Sequence, residues 1–373
     1  MAGSDTIDKC VQFLNAPGFH QRFSLPATPE RDALNISYSD LGRQPTGNQP
    51  NSPPALLFMP GMLASRFQAV LLHIVGTKMG VRVLTIDRFG IGQSTDVPIA
   101  QRISTWVEVV PKLLAHLDIP HVALASHSAG TIYLLNTLYS CRQILSPTRP
   151  YAVLMAPFVD IRHSGVKLLQ AAQLLPSTVL GCFDSVAKSL DTYVGPIIGS
   201  SLSFMDSWFP SAAEPEPAAV ARLLRWQSEY GMPNDFLDAI LRAAVRAGMA
   251  ESTKGLNDET RLCLKKSVPW GECEDFHEYV KKLAAREEQR AEGSRLRVKI
   301  LFAQQDSMIG QRGRQYMEEC WERNCRTETG QAFDVLAKTV DDTDHDGVPG
   351  RLTVLEEILG DVLGEVKVAE VEL

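Results

Sequence analysis

The sequence has no uninterrupted apolar run of the ~18 residues that a membrane-spanning helix needs, so no stable membrane insertion is expected. Its first residues, Met1-Ala-Gly-Ser-Asp-Thr-Ile-Asp8, carry acid and no apolar stretch, and no secretory signal is visible in them. The seven cysteines (10, 141, 182, 263, 273, 320 and 325) are odd in number and scattered, without a C-x-x-C pair. This spacing excludes a disulfide framework and a cysteine zinc site, and it suits a reducing compartment. Basic residues are not in excess: 37 Lys and Arg face 44 Asp and Glu, a formal net charge of −7. That balance argues against nucleic acid or an anionic membrane surface as partner. The final Val-Glu-Leu373 is not a peroxisomal address, no internal repeat is evident, and the cytoplasm is the expected location.

One further absence removes a class of function. The run Val81-Arg-Val-Leu-Thr-Ile-Asp87 reads as a strand and leads into Gly90-Ile-Gly92, the beginning of a dinucleotide-binding loop. The third glycine is missing, since position 95 is Thr, and Thr95-Asp-Val-Pro98 does not start a helix. A nucleotide site needs all those parts, so the segment reads as a structural turn. No cofactor and no metal are expected.

What is present is material for a large core. The 373 residues are 45% hydrophobic and 22% charged, which suits one α/β domain with an insertion. Ala33 to Ser39 alternates like a half-exposed strand, and Gly42 to Pro54 is a Gly-, Pro- and Asn-rich loop. Continuous short apolar runs follow at Ala55–Met59, Val81–Asp87, His121–Ala125, Tyr151–Met155 and Val298–Phe302, with a weaker one at Phe333–Val340. Such runs are expected of strands buried on both faces. Helical spacing falls between them at Phe67–Val75, at Ser104–Leu117 with Ser104 as its N-cap, and from Thr131 to about Ile144. Beyond these lie Gln311–Arg323 and Leu352–Val362. The alternation implies a mostly parallel sheet wrapped by helices.

From 158 to 293 the alternation stops. Apolar helical faces recur at Val166–Leu175, Val179–Leu190, Val220–Tyr230 and Phe236–Ala247, punctuated by prolines, with Glu214-Pro-Glu-Pro217 as a linker. Ala284 to Arg295 is highly charged, as at an exposed helix end. The organisation read from the sequence is therefore a core built from 1–157 and 294–373, interrupted by a helical cap over 158–293.

The chemistry centres on Ala125-Ser-His-Ser-Ala-Gly130, where a strand turns sharply into a helix. This is the context of a nucleophile elbow, G-x-S-x-G, with the small Ser126 in place of the first Gly. Ser128 is the nucleophile by position. The turn lifts its hydroxyl out of the sheet and aims the next N–H and the helix N-terminus at developing negative charge. A Ser hydroxyl needs a base to take its proton and a carboxylate to orient that base. Two such residues follow strands at the same sheet edge, Asp306 and His345, giving the order nucleophile, acid, base. Asp306 could instead only cap the helix after it. Asp160, just past the Tyr151–Met155 strand, is the rival acid. Met62 and Ala129 are the expected N–H donors of an oxyanion hole.

These residues carry a resemblance. From about Pro54 onward the chain resembles the α/β-hydrolase superfamily: Pro60-Gly61-Met62 is similar to its His-Gly oxyanion loop, with Pro in place of His. Asp87-Arg-Phe-Gly-Ile-Gly-Gln-Ser94 is similar to its Asp-Arg-x-Gly-x-Gly-x-Ser turn, and Asp306 and Asp344-His345-Asp346 to its acid and base loops. Asn257-Asp-Glu and Leu262-Cys-Leu-Lys-Lys266 resemble hydrolases of filamentous fungi, some linked to secondary metabolism. The resemblance implies an α/β-hydrolase fold with a lid. It also implies a serine hydrolase acting on a hydrophobic ester, lactone or thioester. A polyketide-offloading thioesterase or macrolactonising acyltransferase, with an acyl carrier protein as partner, is the nearest alternative. A lyase or condensing enzyme on the same scaffold is another. Gly61, His127, Trp208 and Trp226 are candidate substrate contacts, although a structural role for His127 and core packing for the tryptophans are the plainer alternatives. A small hydrophobic acyl compound is the expected substrate, and a homo-oligomer is left open.

Overall fold

The computed structural model describes residues 4–45, 52–167, 170, 173, 228–231, 233–266, 268–290, 293–327 and 330–364. Ten strands are described: β1 (Gln21–Leu25), β2 (Leu34–Gly42), β3 (Ala55–Met59), β4 (Arg82–Ile86), β5 (Ala123–His127), β6 (Tyr151–Met155), β7 (Leu296–Gln305), the short hairpin β8 (Arg326–Thr327) and β9 (Gly330–Gln331), and β10 (Phe333–Asp344). Eight of them form one sheet in the order β1-β2-β4-β3-β5-β6-β7-β10. The pairs β1–β2 and β2–β4 are antiparallel, and every other neighbouring pair in this sheet is parallel.

The apolar strands are buried on both faces, as their composition requires. In β3 the side chains of Ala55, Leu57 and Met59 enter one core layer, while Leu56 and Phe58 enter the other. In β6, Ala152 and Leu154 face the first layer; Tyr151, Val153 and Met155 face the second. The first layer is completed by α3 (Arg102–His116), α4 (Gly130–Ser140), α8 (Phe276–Glu288) and α9 (Gly310–Asn324), through residues such as Trp106, Leu135, Tyr279 and Trp321. The second is completed by α2 (Val70–Met79), α6 (Asn234–Ala250) and α10 (Leu352–Leu363), through Val70, Leu237 and Ile358. The central strands β3, β4, β5 and β6 thus bury both faces, which supplies much of the favourable free energy of the fold.

Several elements differ from the sequence reading. Helix α3 starts at Arg102, after a 3₁₀ turn over Ile99–Gln101, so Ser104 lies inside the helix and its hydroxyl donates to Gln101 O at 3.0 Å rather than capping the N-terminus. β10 runs on to Asp344 through a register shift between Val340 and Asp344, with Asp342 at φ 51°. The bulge carries the acidic stretch along the sheet edge instead of releasing it as a loop. The N-terminal residues that show no clear pattern form α1 (Ser4–Leu14) and β1, with Phe13 set edge-on to Phe19.

In the segment 158–293 the described elements are α5 (Ile161–Ser164), α6, α7 (Gly255–Cys263) and α8, besides short turns. The helical faces expected within 179–227, the Glu214–Pro217 linker, and Trp208 and Trp226 lie outside the described residues. The six described cysteines are buried and form no disulfide among themselves. Among the described residues no helix is long and apolar enough to cross a membrane.

Candidate active site

The carboxyl ends of β3, β4, β5, β7 and β10 carry, in turn, Gly61 and Met62, Arg88, Ser128, Asp306 and His345. Parallel strands place these ends on one rim of the sheet, where ligands of open α/β sheets bind. Ser128 sits between β5 and α4 at φ 49°, in the left-handed region that a side chain rarely occupies. Its N–H donates to Met155 O at 3.1 Å, and its carbonyl accepts from Thr131 N at 2.9 Å and Phe158 N at 3.2 Å. The surrounding structure therefore fixes the strained turn. Gly130 is required there, because a Cβ at that position would lie 2.0 Å from Met59 O. Ser126, the departure from the motif, is wholly buried, and its hydroxyl has no partner among the described residues.

His345 joins the acid to the hydroxyl. Its Nε2 lies 2.8 Å from Ser128 Oγ and its Nδ1 2.8 Å from Asp306 Oδ2. Asp306 also accepts Met308 N–H and Ile309 N–H on Oδ1, both at 2.9 Å. It therefore does both things the sequence allowed: it caps the turn into α9 and it holds the imidazole. Burial pushes the Asp306 carboxyl up, but the His345 charge and hydrogen bond and the two backbone donors outweigh burial and hold it below the usual carboxylate range. Burial likewise lowers His345, and the Asp306 carboxylate outweighs it, so the imidazole pKa is raised above its ordinary value. The rival acid is elsewhere. Asp160 caps α5 by accepting Arg162 N–H at 3.0 Å, and it pairs with Arg162 at 2.6 Å and Lys265 at 3.0 Å.

Of the remaining expected residues, Gly61 and His127 lie beside Ser128, while Trp208 and Trp226 lie outside the described residues. Met62 N–H and Ala129 N–H make no hydrogen bond among the described residues. Gly61 lies against Ser128: a Cβ there would stand 3.2 Å from His127 Nδ1 and 3.6 Å from Ser128 Cβ. His127 is buried, with its Nε2 3.0 Å from His345 O. Burial and the neighbouring His345 charge push its pKa down to about 3, so it is neutral and Nε2–H donates to that carbonyl. His127 thus anchors the backbone of the histidine loop. Trp270 packs between Phe158 and Phe276 in the core. Among the described residues one grouping has ligand atoms close enough for a metal, His127, His345 and Asp346, within 4.8 Å of one another. Both His345 nitrogens and His127 Nε2 are committed to the hydrogen bonds above, which leaves no set of free lone pairs for an ion.

Two buried groups here were not singled out in the sequence. Arg88 donates from Nη1 to Pro60 O at 2.8 Å, and from Nη2 to Met62 O at 2.7 Å and to Gly61 O. Glu259 on α7 lies against Arg88 and accepts from Arg102 Nη1 at 3.0 Å and from the Tyr133 hydroxyl. The D-R-x-G turn contains Arg88 and the Asn257-Asp-Glu stretch contains Glu259, but neither pattern gave Glu259 a role, because its partners are more than 120 residues away in sequence.

Strand order, crossover helices and the elbow together make this the α/β-hydrolase fold. Solved structures of that fold match nearly the whole chain. A carboxylesterase of the thaumarchaeon Nitrososphaera gargenis is 14% identical, with 93% of this chain and 100% of that one covered at a TM-score of 0.54. A hydrolase from Pseudomonas aeruginosa is 14% identical over 92% and 98%, at 0.51. The thioesterase domain from the curacin biosynthetic pathway is 13% identical over 92% and 99%, at 0.50. No family model matches the sequence. No curated protein matches it either.

Proposed function

We propose that the protein is a serine hydrolase that cleaves the acyl group of a hydrophobic ester, lactone or thioester through an acyl-enzyme. The observation that carries this reading is the hydrogen-bonded chain from Asp306 through His345 to Ser128 Oγ, at 2.8 Å in each step, on an elbow at φ 49°. His345 Nε2 takes the Ser128 proton as Oγ attacks the carbonyl carbon. Asp306 holds the tautomer that leaves Nε2 free and stabilises the imidazolium. The oxyanion is received by Met62 N–H and Ala129 N–H. His345 then returns the proton to the departing alcohol or thiol. In the second half it activates water, or an acceptor hydroxyl, to release the acyl group.

The hydrophobic substrate class rests on the apolar helical faces expected in 158–293 other than Phe236–Ala247, whose Leu237 and Ile240 pack in the core; we propose that 158–293 forms a lid over a core of 1–157 and 294–373. The similar carboxylesterase and thioesterase-domain structures are consistent with acyl transfer. A thioesterase would take its acyl chain from a carrier protein, and a cytoplasmic location suits cysteines that form no disulfide among the described residues. The test is turnover of Ser128→Ala on a panel of acyl esters, lactones and thioesters with products followed by mass spectrometry. The variant should fold and lose about 10⁴-fold or more. Near-normal turnover removes Ser128 as nucleophile.

A further inference from the structure

The Arg88 guanidinium is buried, and it touches three consecutive carbonyls, Pro60 O, Gly61 O and Met62 O. The middle contact matters most. Gly61 C=O and Met62 N–H are the two ends of one planar peptide unit, so a group that holds the carbonyl also fixes the direction of the N–H. A cation on the carbonyl oxygen also polarises the amide, which makes its N–H a stronger donor. Arg88 therefore holds the carbonyl end of the peptide whose N–H end is the proposed oxyanion donor.

Arg88 is itself held. Its Nε lies 3.2 Å from Glu259 Oε2, an ion pair without hydrogen-bond alignment, and its guanidinium stands over the Tyr133 ring at 5.4 Å. Glu259 is wholly buried, and among the described residues it is the one carboxylate in ion-pair reach of Arg88. Helix α7, which carries Glu259, is tied to the turn that carries Arg88: Gly255 N–H donates to Gly90 O at 3.0 Å, and Gly92 N–H to Ser252 O at 2.9 Å. The segment between the two halves of the core thus reaches the oxyanion loop through one carboxylate and one guanidinium.

We propose that Glu259 and Arg88 are positioning residues that orient and polarise the Gly61–Met62 peptide, so that oxyanion stabilisation depends on the docking of α7. The proposal rests on the serine-hydrolase reading above. Its consequence is specific: loss of the pair weakens the transition state and leaves ground-state binding unchanged.

The experiment compares Arg88→Lys and Glu259→Gln with the wild type on a p-nitrophenyl ester. A trifluoromethyl ketone, whose adduct with Ser128 carries an oxyanion, serves as the second probe. A lysine ammonium cannot reach three carbonyls in the planar geometry of a guanidinium. In Glu259→Gln the Tyr133 and Arg102 donors keep the amide oxygen, which turns the amide nitrogen towards Arg88. We expect kcat to fall about 10- to 100-fold in Arg88→Lys and by a smaller factor in Glu259→Gln, below the loss of a whole oxyanion donor. Trifluoromethyl ketone affinity should fall in parallel, with KM within twofold and the acid midpoint of the pH profile unmoved. If Arg88→Lys does not fold, Glu259→Gln carries the test with the same readouts. Undiminished kcat in the folded variants, or a loss confined to KM, overturns the positioning role while a fluorophosphonate still labels wild-type Ser128. Failure of that label on wild type overturns the serine-hydrolase reading, and the positioning role with it.

Discussion

Asp306→Asn is the perturbation that reads the hydrogen-bond chain most finely. In the wild type Oδ1 accepts two backbone N–H groups and Oδ2 accepts His345 Nδ1–H. Asparagine keeps its carbonyl oxygen on the two backbone donors, since turning the amide round would set N–H against N–H. Its NH₂ then faces His345 Nδ1, which must become an acceptor. The ring proton moves to Nε2, and Nε2 can no longer take the Ser128 proton. A wrong tautomer of this kind costs on the order of 10⁴ in kcat, about 5 kcal/mol of transition-state stabilisation. The fold should tolerate the change, because the turn into α9 keeps both backbone bonds. The assay is kcat on an activated ester, with the imidazole tautomer read by ¹⁵N NMR and folding by thermal melting. Asp160→Asn is the control: it weakens the cap of α5 and the pairs with Arg162 and Lys265, and should leave kcat within a few-fold. An Asp306→Asn enzyme within tenfold of wild type, or an inactive Asp160→Asn, refutes the reasoning.

Three further outcomes follow from the same geometry. Burial lowers the His345 pKa and Asp306 more than offsets it, so the base protonates as pH falls through a value above about 6.5. The acid limb of kcat/KM should have its midpoint above that value, and in Asp306→Asn, where only the smaller pulls of Asp346 and Asp344 oppose burial, the midpoint of the residual activity should drop. Ser126→Ala removes a buried hydroxyl without a partner among the described residues and should stabilise the protein by about 1 kcal/mol, a rise of roughly 2 °C in Tm by calorimetry. An apolar acyl pocket gains ~0.8 kcal/mol per buried methylene, so kcat/KM on p-nitrophenyl esters should rise several-fold per two carbons from acetyl to medium chains; a best rate on acetyl ester contradicts the hydrophobic substrate class.

The sheet was legible because each strand in its centre is a short continuous apolar run, and such runs have few other uses. Helices α9 and α10 were legible from their period, to within one residue at each end. The start of α3 was misread because Ser104 satisfies Gln101 O from inside the helix, a bond that sequence spacing does not separate from a cap. The bulge in β10 was hidden because Asp342 N–H bonds to Gln304 Oε1, a side chain 38 residues away in sequence. That Ser128, Asp306 and His345 come together could be read because each follows a strand that faces the same rim. Asp306 looked ambiguous because it has two functions in one carboxylate. The Asn257-Asp-Glu stretch drew notice only as part of a resemblance and gave Glu259 no role: adjacent acids in Leu256-Asn-Asp-Glu-Thr260 read as surface, and only distant Arg88, Arg102 and Tyr133 make Glu259 a buried one.

The central claim is that Ser128 is an activated nucleophile, and covalent labelling tests it without knowledge of the substrate. Wild-type protein is incubated with a fluorophosphonate, digested, and mapped by mass spectrometry. The account predicts one adduct, on Ser128, formed faster as pH rises through the His345 midpoint and absent from folded Ser128→Ala. A folded wild type that takes no label, or that takes it at another residue while Ser128 stays unmodified, contradicts the account.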